Sequence, residues 1–319
     1  MPFCLIAQPI HPIGTALLEQ AGIEVRTASA PDLDHLAAGI VDADAVLIRD
    51  TLPAWVMDRA PHLKVIANHG TGTDGVDVAH ATERGIPVVY TPEANVQAVA
   101  EHALMLMLAT ARKVVASDAA TRAGNWGFKY DHDLISLWGK TLGIVGYGHT
   151  GRWLARMASR GLGMKVIVWS PSAPRESLDG VTAAESLEDL LGQADVVSLH
   201  RPLRPDTRHT LNAAALALLK PQAIVINTSR GGLIDQPALV TALADGKLAG
   251  AGLDVFEQEP LAADHALTRL SNVVLTPHLA GSTVQALEET ARQCAQGIIA
   301  VLTGERPVNV RNPEVYPGG

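Results

Sequence analysis

Three charged residues stand just beyond apolar, strand-like runs in the second half of the chain. Arg230 follows Ala223–Asn227 in Asn227-Thr228-Ser229-Arg230-Gly231-Gly232. Glu259 follows Gly250–Val255 in Asp254-Val255-Phe256-Glu257-Gln258-Glu259-Pro260, and His278 follows Asn272–Leu275 in Thr276-Pro277-His278-Leu279-Ala280-Gly281. Singly, each reads as an ordinary loop residue: a capping arginine, a solvated carboxylate, a surface histidine. Together they supply a cation for a carboxylate, a proton donor that titrates near neutrality, and an acid that favours the donor's charged form. Positions just past strand C-termini are where open α/β sheets hold ligands.

The pattern G-x-G-x-x-G occurs twice, at Gly70-Thr71-Gly72-Thr73-Asp74-Gly75 and at Gly146-Tyr147-Gly148-His149-Thr150-Gly151. In a chain with 28 glycines the pattern alone is weak, so context decides. The second match follows the strand-like Thr141–Val145 and precedes a helical stretch, Trp153–Leu162, and a second strand, Lys165–Trp169. That is a βαβ unit whose glycines allow a tight turn and close backbone approach to a pyrophosphate, with amide donors at the helix N-terminus. The first match also follows a strand, but Asp74 and Asp77 would sit beside any phosphate and the next helix stops at Gly85-Ile86-Pro87. It reads as a closely packed turn, or as a loop whose amides hold a small carboxylate. The acid expected after the second strand of the nucleotide unit is missing, because Ser170 stands there. Arg175, five residues on, is either a phosphate ligand or a solvated loop charge, so NAD and NADP both stay open.

The elements that must position these residues alternate along the sequence. Apolar runs at Phe3–Ala7, Ala45–Ile48, Lys64–Ala67, Pro87–Tyr90, Val196–Leu199 and the positions above are unbroken rather than alternating, as in parallel strands covered on both faces. Helical stretches lie between them, among them Gly14–Ala21, Val96–Arg112, Ser186–Gly192, Ala213–Leu219 and Gln236–Gly246; Lys113–Leu137 reads as weak helix and loop. The expected fold is α/β: a Rossmann-type doubly wound parallel sheet domain over 100–283, and a smaller domain over 1–99. The helical Thr283–Leu302 would return the chain, so that 284–319 completes the smaller domain and a cleft lies between the two. With 319 residues, two domains are expected, and 47% apolar with only 4% aromatic residues means a core of Ala, Val, Leu and Ile. A net charge of −8 argues against nucleic-acid binding. Two cysteines, Cys4 and Cys294, cannot build a disulfide framework, and no targeting or membrane segment is evident, so a reduced cytoplasm is expected.

Gly139–Ala155, Asn227–Asp235, Gly252–Pro260 and Asn272–Thr283 resemble the D-2-hydroxyacid dehydrogenase family, as does Gly70–Ala103 with its Arg84-Gly85-Ile86-Pro87-Val88, Thr91-Pro92, Asn95 and Ala100-Glu101. The resemblance covers nearly the whole chain, in order. It implies two lobes, the smaller one flavodoxin-like, a dimer, and hydride transfer between NAD or NADP and C2 of a small 2-keto or 2-hydroxy acid such as hydroxypyruvate or glyoxylate. It further implies Arg230 on the substrate's carboxylate and carbonyl, His278 as acid and base, and Glu259 orienting it. Gly146, Gly148, His149, Thr150 and Gly151 would meet the pyrophosphate and Ser170 the adenosine ribose. Thr228, Ser229, Asp254 and Gly281 would surround the nicotinamide end. Arg49, Thr71, Gly72 and Asn95 would bind substrate, the loop at Thr71 and Gly72 through backbone amides. No metal is implied.

The departures matter. Ser170 replaces the usual acid, Asn68-His69 precedes the carboxylate loop, and Thr51 stands where phosphoglycerate-type members carry a second arginine near Arg49. A phosphoglycerate- or phosphite-type dehydrogenase is the alternative enzyme. A dinucleotide-sensing, corepressor-like binding protein is the alternative of another class; it calls for a peptide-docking segment or tail, and after its last helix the sequence runs only to Glu314-Val315-Tyr316-Pro317-Gly318-Gly319. The segment Arg122–Tyr130, with Trp126, Phe128 and Tyr130, is the expected dimer contact or else a loop packed on its own domain.

Overall fold

The computed structural model describes residues 1–171 and 180–316; Arg175 lies outside the described residues. The chain divides into two compact units, Met1–Asn95 with Gly281–Gly319, and Val96–Ala280.

The smaller unit opens with β1 (Phe3–Ile6), α1 (Pro12–Gln20), β2 (Glu24–Thr27), α2 (Leu33–Gly39), β3 (Ala45–Ile48), α3 (Ala54–Met57), β4 (Val65–Asn68), α4 (Val78–Glu83) and β5 (Val88–Val89). Its strands pair in parallel in the order β2-β1-β3-β4-β5, the flavodoxin-like arrangement. All residues of β1, β3 and β4 are buried, which is why these strands read as unbroken apolar runs. The strand β2 was not expected. It lies at the sheet edge, Glu24-Val25-Arg26-Thr27 is half-buried or exposed, and an edge strand needs no continuous apolar run. Asp32 and Asp77 start α2 and α4 by accepting the amides of His35 and His80.

The larger unit holds α5 (Val96–Ala111), α6 (Val114–Arg122), α7 (Phe128–Asp131), β6 (Thr141–Val145), α8 (His149–Leu162), β7 (Lys165–Trp169) and β8 (Thr182–Ala183). It continues through α9 (Leu187–Gln193), β9 (Val196–Leu199), α10 (Ala213–Ala217), β10 (Ala223–Asn227), α11 (Gln236–Ala244), β11 (Leu248–Leu253) and β12 (Val273–Leu275). All seven strands are parallel, in the order β12-β11-β10-β9-β6-β7-β8. The order reverses between β6 and β9, so this is the doubly wound Rossmann sheet with its ligand-binding switch point there. Helix α8 begins at His149, four residues before the expected start, because helical backbone follows directly from the Gly148 turn despite the weak helix formers Thr150 and Gly151. The expected weak segment 113–137 contains α6 and α7, neither of which buries a residue.

The last helix, α12 (Val284–Leu302), belongs to the smaller unit and packs on α1 and β4. Its Cys294, Ala295 and Ile298 are buried with Cys4, Leu18 and Val65 in one apolar cluster. Both cysteines are free, and no described helix is long and apolar enough to cross a membrane.

Candidate active site

The nucleotide turn joins β6 to α8. Gly146 has φ +101°, and a Cβ there would lie 2.4 Å from the His200 carbonyl oxygen; a Cβ on Gly151 would lie 2.4 Å from the Gly146 oxygen. Only glycine lets these backbones approach so closely. At Gly148, by contrast, a Cβ would meet nothing within 4 Å, so the turn is open there. Gly148 caps α8 without a side-chain hydrogen bond, and His149 and Thr150 stand in the first turn of this helix, whose N-terminal end favours an anion. Thr228, buried after β10, has a hydroxyl with no partner among the described groups. The turn, the uncapped helix and the orphan hydroxyl fit a dinucleotide. The first glycine match is built differently. A Cβ at Gly75 would lie 2.3 Å from the Asp50 oxygen, and the short α4 follows, so this is a packed turn in the smaller unit.

Arg230, Glu259 and His278 meet at the strand ends of the larger unit. Arg230 leaves β10 in extended backbone, its carbonyl held by Asn227 Nδ2 (2.9 Å). Gly231 then passes so close to the segment after β11 that a Cβ would sit 1.8 Å from the Phe256 carbonyl carbon. This locks the arginine turn against the loop that carries Glu259. The Phe256 amide donates to Glu259 Oε1 (2.9 Å), and Glu259 Oε2 lies 2.7 Å from His278 Nδ1.

His278 itself has φ +52°, a conformation few non-glycine residues adopt. Asp254, fully buried, holds it there. The His278 amide donates to the Asp254 carbonyl (2.8 Å), and the Leu279 and Ala280 amides donate to its two carboxylate oxygens (3.0 and 2.9 Å). Thr276 Oγ1 donates to the same carboxylate (2.6 Å). Asp254 thus spends its acceptors on the turn that presents the histidine.

The electrostatics follow from these contacts. The Glu259 hydrogen bond raises the His278 pKa; burial opposes this, the Glu259 and Asp254 charges add to it, and the Arg230 charge subtracts. For Glu259, burial alone would raise the pKa. The hydrogen bonds from His278 and the Phe256 amide, with the charges of His278 and Arg230, outweigh it and hold the carboxyl below its usual range. Each partner therefore favours the charged form of the other.

The remaining expected residues are placed as follows. Ser170 follows β7, and Ser229 Oγ donates to the Leu199 carbonyl (2.8 Å). In the smaller unit, Thr71 Oγ1 contacts Asn95 Oδ1 (2.9 Å) and the Thr91 carbonyl (3.2 Å), while Asn68 Nδ2 donates to the carbonyls of Gly70 and Gly72. Arg49 is exposed and donates to the Pro9 carbonyl (2.9 Å). Gly281 packs on Asn95, whose Nδ2 would lie 2.6 Å from a Cβ there. Among the described residues no group of three or more His, Cys, Asp or Glu is placed to hold a metal.

Comparison with known proteins fits this geometry. Residues 104–280, more than half of the chain, match the NAD-binding domain of D-isomer specific 2-hydroxyacid dehydrogenases. The chain belongs to the D-isomer specific 2-hydroxyacid dehydrogenase family. A glyoxylate reductase of Thermococcus litoralis is 43% identical over 285 residues, covering 86% of this chain and 85% of that protein. A D-3-phosphoglycerate dehydrogenase of Mycobacterium tuberculosis is 40% identical over 309 residues, 96% of this chain. The chain spans only 58% of that dehydrogenase's length. The crystal structure of an NADPH-dependent glyoxylate/hydroxypyruvate reductase from Sinorhizobium meliloti, with NADP and malonate, superposes with a TM-score of 0.87 at 32% identity, covering 97% of this chain and 96% of that one.

Two residues packed at these strand ends were not singled out from sequence. His102, on α5, lies 2.9 Å from Thr276 Oγ1 and 3.5 Å from Asp254 Oδ1. Burial keeps its pKa low, with the Asp254 charge opposing. The signal was an imidazole directly before the apolar run Ala103–Ala109, and that pattern alone does not name a partner. Thr276, the other, is half-buried and links the two.

Proposed function

We propose that this protein reduces a small 2-keto acid of the glyoxylate or hydroxypyruvate class to its 2-hydroxy acid, and runs the reverse reaction, with NAD or NADP. The bound nicotinamide supplies or takes up the hydride at the substrate's C2. His278, held at Nδ1 by Glu259, carries the transferable proton on Nε2 and gives it to the carbonyl oxygen in reduction; in oxidation the neutral ring removes it. The Arg230 guanidinium pairs with the substrate carboxylate and stabilises negative charge as it develops on the oxygen, more strongly in the transition state than before it. Asp254 and His102 act through the turn that fixes His278. The same proposal gives Gly146, Gly148, His149, Thr150 and Gly151 to the pyrophosphate, Ser170 to the adenosine ribose, and Thr228, Ser229 and Gly281 to the nicotinamide end. It gives the substrate carboxylate the amides at Thr71 and Gly72, with Arg49 and Asn95 beside them. The smaller unit is then the substrate domain and the larger one the cofactor domain.

The observation that carries this reading is the 2.7 Å His278–Glu259 pair beside Arg230 at the ligand end of a dinucleotide sheet. A panel of glyoxylate, hydroxypyruvate, pyruvate and, in the oxidative direction, 3-phosphoglycerate, assayed with both cofactors, tests it. Turnover of the unphosphorylated acids is expected. Dinucleotide binding without turnover of any acid would favour a sensing role instead.

The histidine's raised pKa gives a signed pH prediction. Reduction needs the protonated ring, so its rate falls as pH rises through the His278 pKa. Oxidation needs the neutral ring, so its rate falls as pH drops through it. Glu259→Gln removes the charge and the strong acceptor that raise this pKa. Both limbs are therefore expected to move to lower pH, and profiles that superpose on the wild type would rule out the pair's role.

We also infer a homodimer. Val114, Val115, Trp126, Tyr130 and Trp138 are all half or more exposed within one segment of the larger unit, and large apolar side chains left this exposed are of the kind that partners cover. Trp126 is 75% exposed, which does not suit a loop packed on its own domain. Light scattering on a size-exclusion column should give twice the chain mass of 33.6 kDa, and Trp126→Glu should shift it toward the monomer. Two buried, unpaired cysteines suit a reducing compartment, and we place the protein in the cytoplasm.

A further inference from the structure

One corner of the larger unit's nucleotide end carries a cation that the reaction above does not use. Strand β7 ends at Trp169, followed by Ser170. In dinucleotide-binding sheets an acidic residue at this place binds the ribose 2′-hydroxyl and repels a 2′-phosphate. Serine brings no such repulsion. Strand β9, on the far side of β6, ends at Leu199 and runs through His200 to Arg201. The His200 oxygen and Arg201 Cγ lie 2.4 and 2.9 Å from where a Cβ on Gly146 would be, so this segment is packed onto the nucleotide turn itself. From there Arg201 reaches across the end of β6, and its guanidinium carbon lies 5.0 Å from the centroid of the Trp169 ring. Arg204 and Asp206 are close enough for their charges to act on it, one of each sign.

The chemistry of that arrangement is specific. A guanidinium resting on an indole face loses little further freedom when it binds, and its fork of N–H donors matches two oxygens of a phosphate. The ring it rests on is the last residue of the strand that leads to the adenosine ribose. Resting on the reading that this unit binds a nicotinamide dinucleotide, we propose that Arg201, seated on Trp169, selects cofactors that carry a phosphate on the adenosine 2′-oxygen. The enzyme therefore prefers NADP(H) to NAD(H), and Arg201 is the specificity-determining residue.

The test compares ligands that differ only in that phosphate. Calorimetric Kd values for 2′,5′-ADP and 5′-AMP, and for NADPH and NADH by fluorescence, are measured on the whole chain as wild type, Arg201→Gln and Arg201→Lys. A charge-assisted hydrogen bond to a phosphate is worth roughly tenfold to a hundredfold in affinity. Wild type is expected to bind 2′,5′-ADP tighter than 5′-AMP by about that margin. Arg201→Gln should lose the margin while 5′-AMP binding stays within about twofold, and Arg201→Lys should keep part of it, as a point charge without the planar fork. A purely structural arginine would weaken both ligands equally, and that outcome overturns the proposal. So does a wild type that binds the two alike; if it still turns over 2-keto acids with NADH, the reading under Proposed function stands and only this inference fails. Failure to bind either dinucleotide overturns both.

Discussion

Replacing His278 with alanine is expected to lower kcat for 2-keto acid reduction by at least about a hundredfold, the lower end of what positioned general acids contribute. Cofactor Kd should be nearly unchanged, because the ring is held by Glu259 at one nitrogen and is proposed to meet the substrate at the other, and its backbone amide, not its side chain, ties the turn to Asp254. Asp254 holds the turn through the Leu279 and Ala280 amides as well, so the loop should survive the substitution. Steady-state kinetics alongside a cofactor titration check this. A near wild-type kcat would remove the histidine from the mechanism. A loss confined to cofactor affinity would reassign it to binding.

Arg230→Ala should act on two parameters at once. Losing the carboxylate partner raises KM, and losing the cation beside the developing oxyanion lowers kcat. Donors of that second kind are worth about 10² to 10³ in rate, so kcat/KM is expected to fall by about 10³-fold or more. Arg230→Lys should recover only part, because an ammonium cannot make the two parallel hydrogen bonds of a guanidinium. Arg230→Ala, unlike Arg230→Lys, also removes a positive charge that lowers the His278 pKa, so its alkaline limb of reduction should move up in pH, opposite to the effect of Glu259→Gln. An unchanged KM would separate Arg230 from the substrate carboxylate.

The fold was legible where burial on both faces writes itself into composition. Ala45–Ile48, Thr141–Val145, Lys165–Trp169, Val196–Leu199 and Ala223–Asn227 are strands with the bounds that the apolar runs gave. Two of the four edge strands, Glu24–Thr27 and Thr182–Ala183, were not legible in that way, because a strand at the end of its sheet needs no apolar run. The site's parts were legible in the local sequence, but the pairing of Glu259 with His278 came only from the family resemblance. Glu257 and Glu259 are two residues apart and equally acidic, yet Glu257 turns to His209 (2.6 Å) and Arg208 (3.3 Å) while Glu259 turns to His278. Nothing in the local sequence separates them; the backbone turn locked at Gly231 and Phe256 does. The contact of Arg201 with Trp169 was likewise invisible, since it joins residues from strands that are not neighbours in the sheet.

The central claim is that a hydride and a proton are delivered to the two ends of one carbonyl bond, the proton from His278. It is tested most directly by reducing glyoxylate with a cofactor that carries deuterium at the transferable C4 position of its nicotinamide, and locating the label by mass spectrometry. We expect one deuterium bound to C2 of the 2-hydroxy acid, formed at least about a hundredfold more slowly by His278→Ala. An unlabelled product, or labelled product formed equally fast without the imidazole, would contradict the account.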